Sequence, residues 1–551
     1  MDRLISATLD NVARLCEANF YHYIIIGSGI GGGILARTLV EESDKSRVLI
    51  IERGGLLLHT HSINLATPRW NHNSSEGPSQ DNDLVYSKLK DPFVTVTAKS
   101  EPYAGGPVYG IGGRSTVWGL YTPKVDENDL QSFPEAIRQH LAGRGYNDAY
   151  QLMTGDREAS LDTPYPHPAA FPTINAEAHN TIIDRLNTIL RDPQQKVGFK
   201  RCPMAVEFTA RNPGSRLYQV VKGGYSTAPW ILDQIFNQSE QFHLLSQTRV
   251  MTVNEATEGG QTKIESLTVV DQRGHERTFS IGKAKVILSA GTVDTAAIAL
   301  RSGVGNHNFV GHGLTDHDIW GTRFMFQPSK EVEALQSQAF RLQTTVELGS
   351  GRNTTHCLLI VTVNASSFLG NTVDRSFPCQ FINSKLEIVP EEEWCDESCD
   401  GPTKSNLPPR PVVQVVYCLP SKLVKDNKVL NLPNSTPSIQ ITKRDKSIYA
   451  SQMERIAGEI RTVLSGDKVK GQMPQVTRSS FGSVAHEVGT MRMGEKADNS
   501  VVDENLQVHN SRNLFVCDLS VFPISPSSNP TLTLAALSQR LGHHLIKHHT
   551  P

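Results

Sequence analysis

Short apolar runs on either side of one amphipathic stretch dominate residues 21–53. The runs 23–26 and 48–51 are four residues long and mostly β-branched, which is typical of strands buried on both faces of a parallel sheet. Between them, apolar residues recur at helical spacing over 34–40. The pattern therefore predicts a complete βαβ unit.

A similar buried strand is predicted at 285–292, where it ends on small residues ahead of a helical pattern over 294–300. A strand that ends in this way before a helix is expected to join the same sheet. Because it lies far along the chain from the first βαβ unit, the domain that contains this sheet is expected to be discontinuous.

Residues 320–442 have a different pattern, in which predicted strands follow one another without intervening helices. Such a pattern predicts an antiparallel sheet and a second domain. An amphipathic helix is predicted afterwards, over 451–464, and a small antiparallel ribbon before it, over 263–281. The strands predicted for the second domain are 320–326, 340–348, 356–363, 412–417 and 438–442.

Glycines fill the turn after the first predicted strand, in the sequence GSGIGG. Gly27 permits a tight turn, Gly29 lets the backbone approach a pyrophosphate, and Gly32 lets the helix pack close to the strand. Glu52 lies twenty residues beyond Gly32, where a carboxylate would accept hydrogen bonds from an adenosine ribose. An acid at this point disfavours the 2′-phosphate of NADP, but it does not distinguish NAD from FAD.

A second glycine-rich segment spans residues 105–123 and has six glycines within 105–119. It cannot supply a core of its own, and a flexible surface loop is one interpretation. Apolar residues between the glycines, such as Val117 and Trp118, favour instead a backbone that packs against a ligand. A flavin ring with its ribityl chain would fit such a segment.

Composition and charge exclude several classes of protein. The chain has 551 residues, too many for one core, and its 54 basic and 56 acidic residues give a net charge of −2. This balance gives no reason to expect nucleic acid or an anionic membrane as a partner. The absence of any run of eighteen apolar residues argues against a transmembrane helix. Residues 1–19 predict a short amphipathic helix, not a signal peptide, so we expect a cytoplasmic, soluble protein.

Eight scattered cysteines do not predict a disulfide framework. Cys395 and Cys399 lie in a long aperiodic excursion over 390–411 and fit no standard zinc spacing, so no metal site is expected. A mobile cover over the substrate site is one hypothesis for this excursion, because such segments are often functional. Five N-x-S/T sequons carry little weight without a signal peptide, and they lie at Asn73, Asn237, Asn353, Asn364 and Asn434.

The C-terminal part of the chain adds two polar side chains at predicted loops. His486 follows one loop, and Asn529 precedes a helix that Pro530 opens at a first-turn position. A single histidine is more often structural than catalytic, and an asparagine before a helix is ordinarily an N-cap. If both loops pack against the predicted parallel sheet, however, the two side chains can converge on one point.

Together these motifs resemble the glucose-methanol-choline (GMC) oxidoreductase family of FAD enzymes, over nearly the whole chain. The segment GGRSTVWG…TP and the ending NPTLT are most similar to the pyranose-oxidase-like branch of that family. The motifs that carry the resemblance are GSGIGG…IER, GIGGRSTVWGLYTP, VILSAGT, GHGLTDH and HEVGTMRMG…NLFVCDLSVFP…SNPTLT.

The resemblance implies an α/β fold with two interleaved parts. One is a Rossmann-like FAD-binding domain and the other an antiparallel-sheet substrate domain, the architecture shared by GMC enzymes and p-hydroxybenzoate hydroxylase. The FAD-binding domain is then expected over 20–125, 200–318 and 480–551. The substrate domain is expected over 126–199 and 319–479.

The resemblance also implies the chemistry. The family pairs a histidine with a second histidine or an asparagine at flavin N5, which corresponds here to His486 and Asn529. His486 then takes the hydroxyl proton of a small-molecule alcohol while hydride passes to flavin N5, and O₂ or a quinone-like acceptor reoxidises the flavin. Val117 stands where some relatives carry a histidine that binds the flavin, so non-covalent FAD is expected. Besides the glycines and Glu52, the expected cofactor contacts are Arg53, Gly113, Ser115, Val117, Val250, Ala290, Asp518, Leu519, Pro530 and Thr531.

Two alternative functions remain open at this point. A lyase of the same fold, such as a hydroxynitrile lyase, would keep the flavin as a structural element and use His486 for acid–base cleavage. A flavin-binding protein without catalysis would make the pairing of His486 with Asn529 incidental. Fold alone does not separate these functions. Adding an alcohol under anaerobic conditions does, because only an oxidising enzyme would then reduce its flavin.

Overall fold

A computed structural model of the chain describes residues 6–64, 86, 89–91, 94–95, 100–161, 176–189, 198–207, 223–327, 340–363, 377–390, 411–430, 437–444, 447–466 and 468–549. Cys395 and Cys399 lie outside the described residues, as do residues 391–410 of the predicted excursion. The sequons at Asn73, Asn364 and Asn434 also lie outside them.

The strands, in chain order, are β1 (Tyr23–Ile26), β2 (Val48–Ile51), β3 (Val94–Thr95), β4 (Lys200–Arg201), β5 (Val206–Glu207), β6 (Gly223–Gly224), β7 (Phe242–Leu245), β8 (Thr248–Glu258), β9 (Gln261–Asp271), β10 (Glu276–Ser280), β11 (Lys285–Leu288), β12 (Asp318–Phe326), β13 (Phe340–Leu348), β14 (Thr355–Val363), β15 (Cys379–Ile382), β16 (Ile388–Val389), β17 (Val412–Leu419), β18 (Ser421–Lys422), β19 (Lys428–Leu430), β20 (Ser438–Gln440), β21 (Thr477–Arg478), β22 (Leu514–Val516) and β23 (Ile524–Ser525). The α-helices are Leu9–Glu17, Ile30–Glu41, Glu127–Leu130, Glu135–His140, Tyr146–Thr154, Ala176–Asn187, Ala228–Phe236, Thr292–Ser302, Ala450–Ser465 and Thr531–His549.

A five-stranded parallel sheet forms the centre of the larger core. Its order is β22-β11-β1-β2-β7, and all of its pairings are parallel. Every residue of β1 and β2 is buried, because helix Ile30–Glu41 and the C-terminal helix Thr531–His549 pack in the same core. The predicted βαβ unit and the discontinuous Rossmann-like sheet are confirmed.

A mixed sheet is the second large sheet of the fold. Its order is β16-β15-β12-β17-β14-β13-β4, with β21 added beside β12, and its pairings are antiparallel except that of β12 with β15. Side chains alternate across it: Cys357 and Leu359 of β14 face a core with helix Ala450–Ser465, whereas Leu358 and Ile360 face the opposite side. The predicted second sheet is therefore present, with one parallel pairing.

One predicted strand belongs to a different sheet. The segment 438–442 was expected in the second-domain sheet, but β20 pairs with β19 and β3 in a separate three-stranded sheet. That prediction is wrong because Ile439 and Ile441 bury their side chains beside Ala296 and Ala297 of helix Thr292–Ser302. The predicted ribbon over 263–281 is present as the antiparallel sheet β8-β9-β10.

The segment 126–199 divides its buried side chains between two cores. Leu130, Ile137 and Tyr150 pack in the core of the parallel sheet, while Ile182 and Leu186 pack behind the mixed sheet. The predicted domain boundaries stay a prediction, and this packing favours assigning the first part of the segment to the FAD-binding domain. Within the described part of the chain, every helix is too short or too polar to cross a membrane.

Candidate functional site

One cavity runs from the glycine turn after β1 to the inner face of the mixed sheet. Every candidate residue from the sequence lines this cavity, apart from Gly32 and Pro530. Gly32 lies one helical turn further on, and Pro530 is buried directly before helix Thr531–His549. The fold thus brings the predicted cofactor residues, His486 and Asn529 to the walls of one cavity, and their roles stay a prediction.

The glycine turn has the geometry that a dinucleotide needs. Gly27 has a φ of +106°, and a Cβ atom there would lie 2.2 Å from the carbonyl oxygen of Ser289. A Cβ atom at Gly32 would lie 2.1 Å from the carbonyl oxygen of Gly27, so the helix packs directly on the turn. At Gly29, the N-cap of helix Ile30–Glu41, a Cβ atom would meet nothing within 4 Å. The open space therefore lies over the positive N-terminus of a helix, where a pyrophosphate binds.

Glu52 closes the turn from the end of β2. Its Oε2 accepts hydrogen bonds from the backbone N–H of Ser28 at 3.1 Å and from Ser28 Oγ at 2.6 Å, and its Oε1 accepts one from the N–H of Gly54 at 2.9 Å. Burial raises the pKa of Glu52, although these hydrogen bonds oppose the rise. Ser28 Oγ also accepts from the N–H of Gly112, which ties the turn to the second glycine-rich segment.

Two further carboxylates shape the cofactor end of the cavity. Arg53 pairs with Asp294 at 3.2 Å and lies over the ring of Tyr109, whose hydroxyl donates to the same aspartate at 2.9 Å. Asp518 accepts from the N–H of Gly291 at 3.0 Å and so joins β22 to the start of helix Thr292–Ser302. Sequence reasoning missed Asp294 and Tyr109, since nothing in their local pattern points to Arg53.

The residues present fit a flavin dinucleotide. The open space over Gly29 accepts phosphates, Glu52 lies beside it, and the cavity continues past Gly113, Ser115 and Val117 of the second glycine-rich segment. This segment is held in place by Ser115, whose Oγ donates to the carbonyl of Gly112 at 2.6 Å. Val117 offers no nucleophilic atom to the cavity.

His486 lies at the far end of the cavity and is held by a second histidine. His486 Nδ1 lies 3.0 Å from Nε2 of His317, and Nδ1 of His317 lies 3.0 Å from the carbonyl oxygen of Pro526. The two rings meet edge to face, with their centroids 4.9 Å apart. The sequence could have pointed to His317, because this residue ends the GHGLTDH motif. Nothing in the local pattern predicts its contact with His486.

The partners determine how the two rings are protonated. Burial lowers the pKa of His317 to about 4. Burial also lowers the pKa of His486 well below its usual value, and the neighbouring His317 and Arg114 lower it further. Both rings are therefore neutral near pH 7. A carbonyl only accepts, so His317 Nδ1 carries the proton and its Nε2 accepts from His486 Nδ1. In the described part of the chain nothing bonds to Nε2 of His486. That nitrogen therefore presents a lone pair to the cavity.

An ion pair between the half-buried Arg114 and the buried Glu487 brackets His486. Arg114 donates from Nη1 to the carbonyl of Ala485 and to Oε2 of Glu487, both at 2.8 Å, and Tyr103 donates to Oε1 of Glu487 at 2.5 Å. Ala485 has a φ of +57°, which is uncommon for a residue with a Cβ atom. The arginine therefore holds both neighbours of the histidine, one of them in a strained conformation. Sequence reasoning missed the three side chains in these contacts, which belong to Arg114, Glu487 and Tyr103.

The opposite wall of the cavity is apolar. It consists of side chains from the inner face of the mixed sheet, together with Phe377 just before β15. This wall therefore offers hydrocarbon to a molecule in the cavity, whereas His486 and Asn529 offer polar groups. The residues of this wall are Ile319, Ile360, Phe377, Val416 and Cys418.

Comparison with known proteins identifies the family. A parallel sheet with a glycine-rich turn, a mixed sheet and one cavity that both of them line are the features of a cofactor-dependent enzyme. Two family models, both described as GMC oxidoreductase, match residues 95–319 and 438–538. The chain belongs to the GMC oxidoreductase family, whose members bind FAD and oxidise alcohols. Its placement nearest the pyranose-oxidase-like branch stays a prediction.

Individual relatives agree with this assignment. "Dehydrogenase str4" from Strobilurus tenacellus is 40% identical, over 94% of this chain and 93% of that protein. "Choline oxidase" from Arthrobacter globiformis is 21% identical, over 97% of this chain and 95% of that protein. The structure of pyridoxine 4-oxidase from Mesorbium loti superposes with a TM-score of 0.59 at 17% identity, covering 96% of this chain and all of that one, which supports the fold alone.

Proposed function

We propose that the protein oxidises the hydroxyl group of a small alcohol with an apolar body, and that His486 and Asn529 handle the hydroxyl. The observation that carries this proposal is the chain from Pro526 through His317 to His486, which leaves a lone pair on Nε2 in the cavity. The apolar wall opposite supports the choice of substrate. Relatives are named choline oxidase and long-chain-alcohol oxidase, and these two alcohols differ in polarity. The names of relatives therefore do not decide whether the substrate of this protein is polar or apolar.

The proposed role of His486 is to accept the hydroxyl proton. An alcohol is a poor hydride donor until its proton is leaving, so a base beside the hydroxyl is required. The neutral ring of His486 can accept a proton, because its bond to His317 uses Nδ1 and leaves Nε2 free. Asn529 lines the same cavity, and its amide can donate to the hydroxyl oxygen as negative charge develops there.

FAD would be held by the turn Gly27–Gly29, by Glu52 and by the second glycine-rich segment. When bound, FAD supplies a hydride acceptor at flavin N5. Val117 stands where some relatives carry the histidine that bonds to the flavin, and its side chain has no nucleophilic atom, which supports non-covalent binding. Arg53, Val250, Ala290, Asp518, Leu519 and Thr531 line the cavity and are proposed contacts as well.

A panel of alcohols tests the proposal. Purified holoenzyme is mixed without oxygen with benzyl alcohol, hexanol, choline and glucose, and reduction of the flavin is followed by its absorbance. We expect the apolar alcohols to reduce the flavin and the polar ones to do so poorly. Oxygen consumption, and then reduction of a soluble quinone, show which acceptor reoxidises it. If every alcohol leaves the flavin oxidised, the proposal is wrong.

Variants of the pair test the assignment of roles. His486→Ala should slow flavin reduction by about 10²- to 10⁴-fold, the usual contribution of general acid–base catalysis. Asn529→Ala should cost less, and the double variant should lose less than the product, because groups that act as a unit are not additive. His509→Ala is the matched control, since His509 bonds to Ser500 Oγ at 2.8 Å and does not line the cavity. Reduction at the wild-type rate in His486→Ala would place the base elsewhere.

A further inference from the structure

A buried carboxylate lies behind the loop that carries Asn529. Asp129, on helix Glu127–Leu130, is 2% exposed. Its Oδ2 accepts from the backbone N–H and from Oγ of Ser527, both at 2.8 Å, and its Oδ1 lies 3.1 Å from Nε2 of His356 on β14. One side chain thus joins a helix of the larger core, a strand of the mixed sheet and the loop before helix Thr531–His549.

The loop that Asp129 holds carries Asn529 of the proposed pair and the carbonyl oxygen that orients its other member, His486, through His317. The residue before Ser527 is Pro526, whose carbonyl oxygen orients His317 and, through it, His486. Two residues after Ser527 is Asn529, which lines the cavity. A shift of residues 526–529 would therefore move the acceptor that sets the tautomer of the histidines and the amide that faces the substrate at the same time.

We propose that Asp129 is a positioning residue for alcohol oxidation, which acts by fixing residues 526–529. This inference rests on the proposed function. The contacts suit a carboxylate, because all three are made by groups that donate, and an ionised carboxylate only accepts. An asparagine at 129 keeps only one acceptor oxygen. If its N–H₂ group faces Ser527, it opposes the backbone N–H there, and if it faces His356, the imidazole has to change tautomer to accept at Nε2.

The test compares two holoenzyme variants that remove the same charge from the same region. Asp129→Asn changes the residue that holds Ser527. Asp126→Asn is the matched control, because Asp126 lies 3.6 Å from His356 but bonds to Asn128 at the start of its helix and not to Ser527. Ser527→Ala, which deletes only the Oγ contact, is the milder second variant in case Asp129→Asn does not fold.

We expect the rate of flavin reduction per bound flavin to fall about 10- to 100-fold in Asp129→Asn, the size of effect that a small misplacement of catalytic groups produces. It should fall several-fold in Ser527→Ala and stay within about twofold of wild type in Asp126→Asn. The alcohol used is the best donor from the panel. Rates are divided by flavin content, because a role limited to stability would lower content and melting temperature without changing the rate per flavin.

Crystal structures of the same variants separate this inference from the proposed function. If no alcohol reduces the wild type, the proposed function fails, and the distance from Pro526 oxygen to His317 Nδ1 still shows whether Asp129 holds the loop. We expect this contact to be lost in Asp129→Asn and kept in Asp126→Asn. An unchanged rate in Asp129→Asn, an equal loss in Asp126→Asn, or an unmoved loop would overturn the inference.

Discussion

Replacing His317 tests how the second histidine controls the first. In His317→Ala, Nδ1 of His486 loses its partner at 3.0 Å and Pro526 loses the donor to its carbonyl. The imidazole of His486 can then rotate, and it can move its proton to Nε2. The alcohol would meet a donor in that tautomer, where the wild type presents an acceptor.

The size of the effect can be bounded from these contacts. A neutral hydrogen bond is worth about 0.5–1.5 kcal/mol net, which corresponds to roughly 2- to 12-fold if it is expressed fully in the rate. Loss of the correct tautomer adds to this, and the total contribution of the base, about 10²- to 10⁴-fold, sets the ceiling. We therefore expect His317→Ala to slow flavin reduction by roughly 10- to 100-fold, less than His486→Ala does.

Anaerobic stopped-flow reduction, divided by flavin content, is the assay. His317→Gln is the conservative variant, because its amide oxygen can accept from His486 while its N–H₂ group donates toward Pro526. It should recover much of the rate that His317→Ala loses. A rate in His317→Ala within twofold of wild type would refute the tautomer argument. A His317→Gln variant as slow as His317→Ala would show that the ring matters for packing only.

Other predictions follow from the cofactor end and from burial. Gly29→Ala should leave the melting temperature of the apoprotein near that of wild type but weaken FAD binding in a fluorescence titration. Gly32→Ala should lower the melting temperature, since its Cβ atom would lie 2.1 Å from a carbonyl oxygen. Glu52→Gln should weaken FAD binding without changing the rate of reduction per bound flavin, because it weakens hydrogen bonds far from the reacting atoms; unchanged affinity would move the ribose contact elsewhere. Acid or heat denaturation should release all of the flavin, and flavin that stays with the precipitated polypeptide would contradict the expectation drawn from Val117. Burial lowers the pKa of His61 from 6.5 to about 4, so the unfolded state binds more protons between these values and stability falls as pH falls through this range. At about 1.4 kcal/mol per pKa unit, protonation of His61 in the unfolded state lowers the free energy of unfolding by on the order of 3 kcal/mol between pH 6.5 and pH 4. Burial raises the pKa of Asp316 to about 7 and acts in the opposite direction over this range, so the sign is checked by comparing urea unfolding of wild type with that of His61→Asn.

Local features of this protein could be read from its sequence. The strand at 340–348 was predicted with the bounds that the structure has, because its ends are marked by a change in residue pattern. The turn over Gly27–Gly32 was predictable in detail, since a positive φ and close backbone contacts require glycine whatever the rest of the fold. The fold class follows from these signals, because periodicity and turn chemistry depend on neighbours in the chain, whereas the family was predicted from the resemblance of whole motifs.

Contacts between distant segments were decided only by the tertiary structure. His486 and His317 are 169 residues apart, and Asp129 and Ser527 are 398 residues apart. A histidine or an aspartate has the same local pattern whether it meets a partner or solvent, so no periodicity marks these pairs. The same reason explains β20, whose apolar residues predicted a buried strand but not the sheet that would accept it. The sequence by itself determined which segments form strands, turns and a cofactor site, and packing between remote segments determined which side chains orient the proposed base.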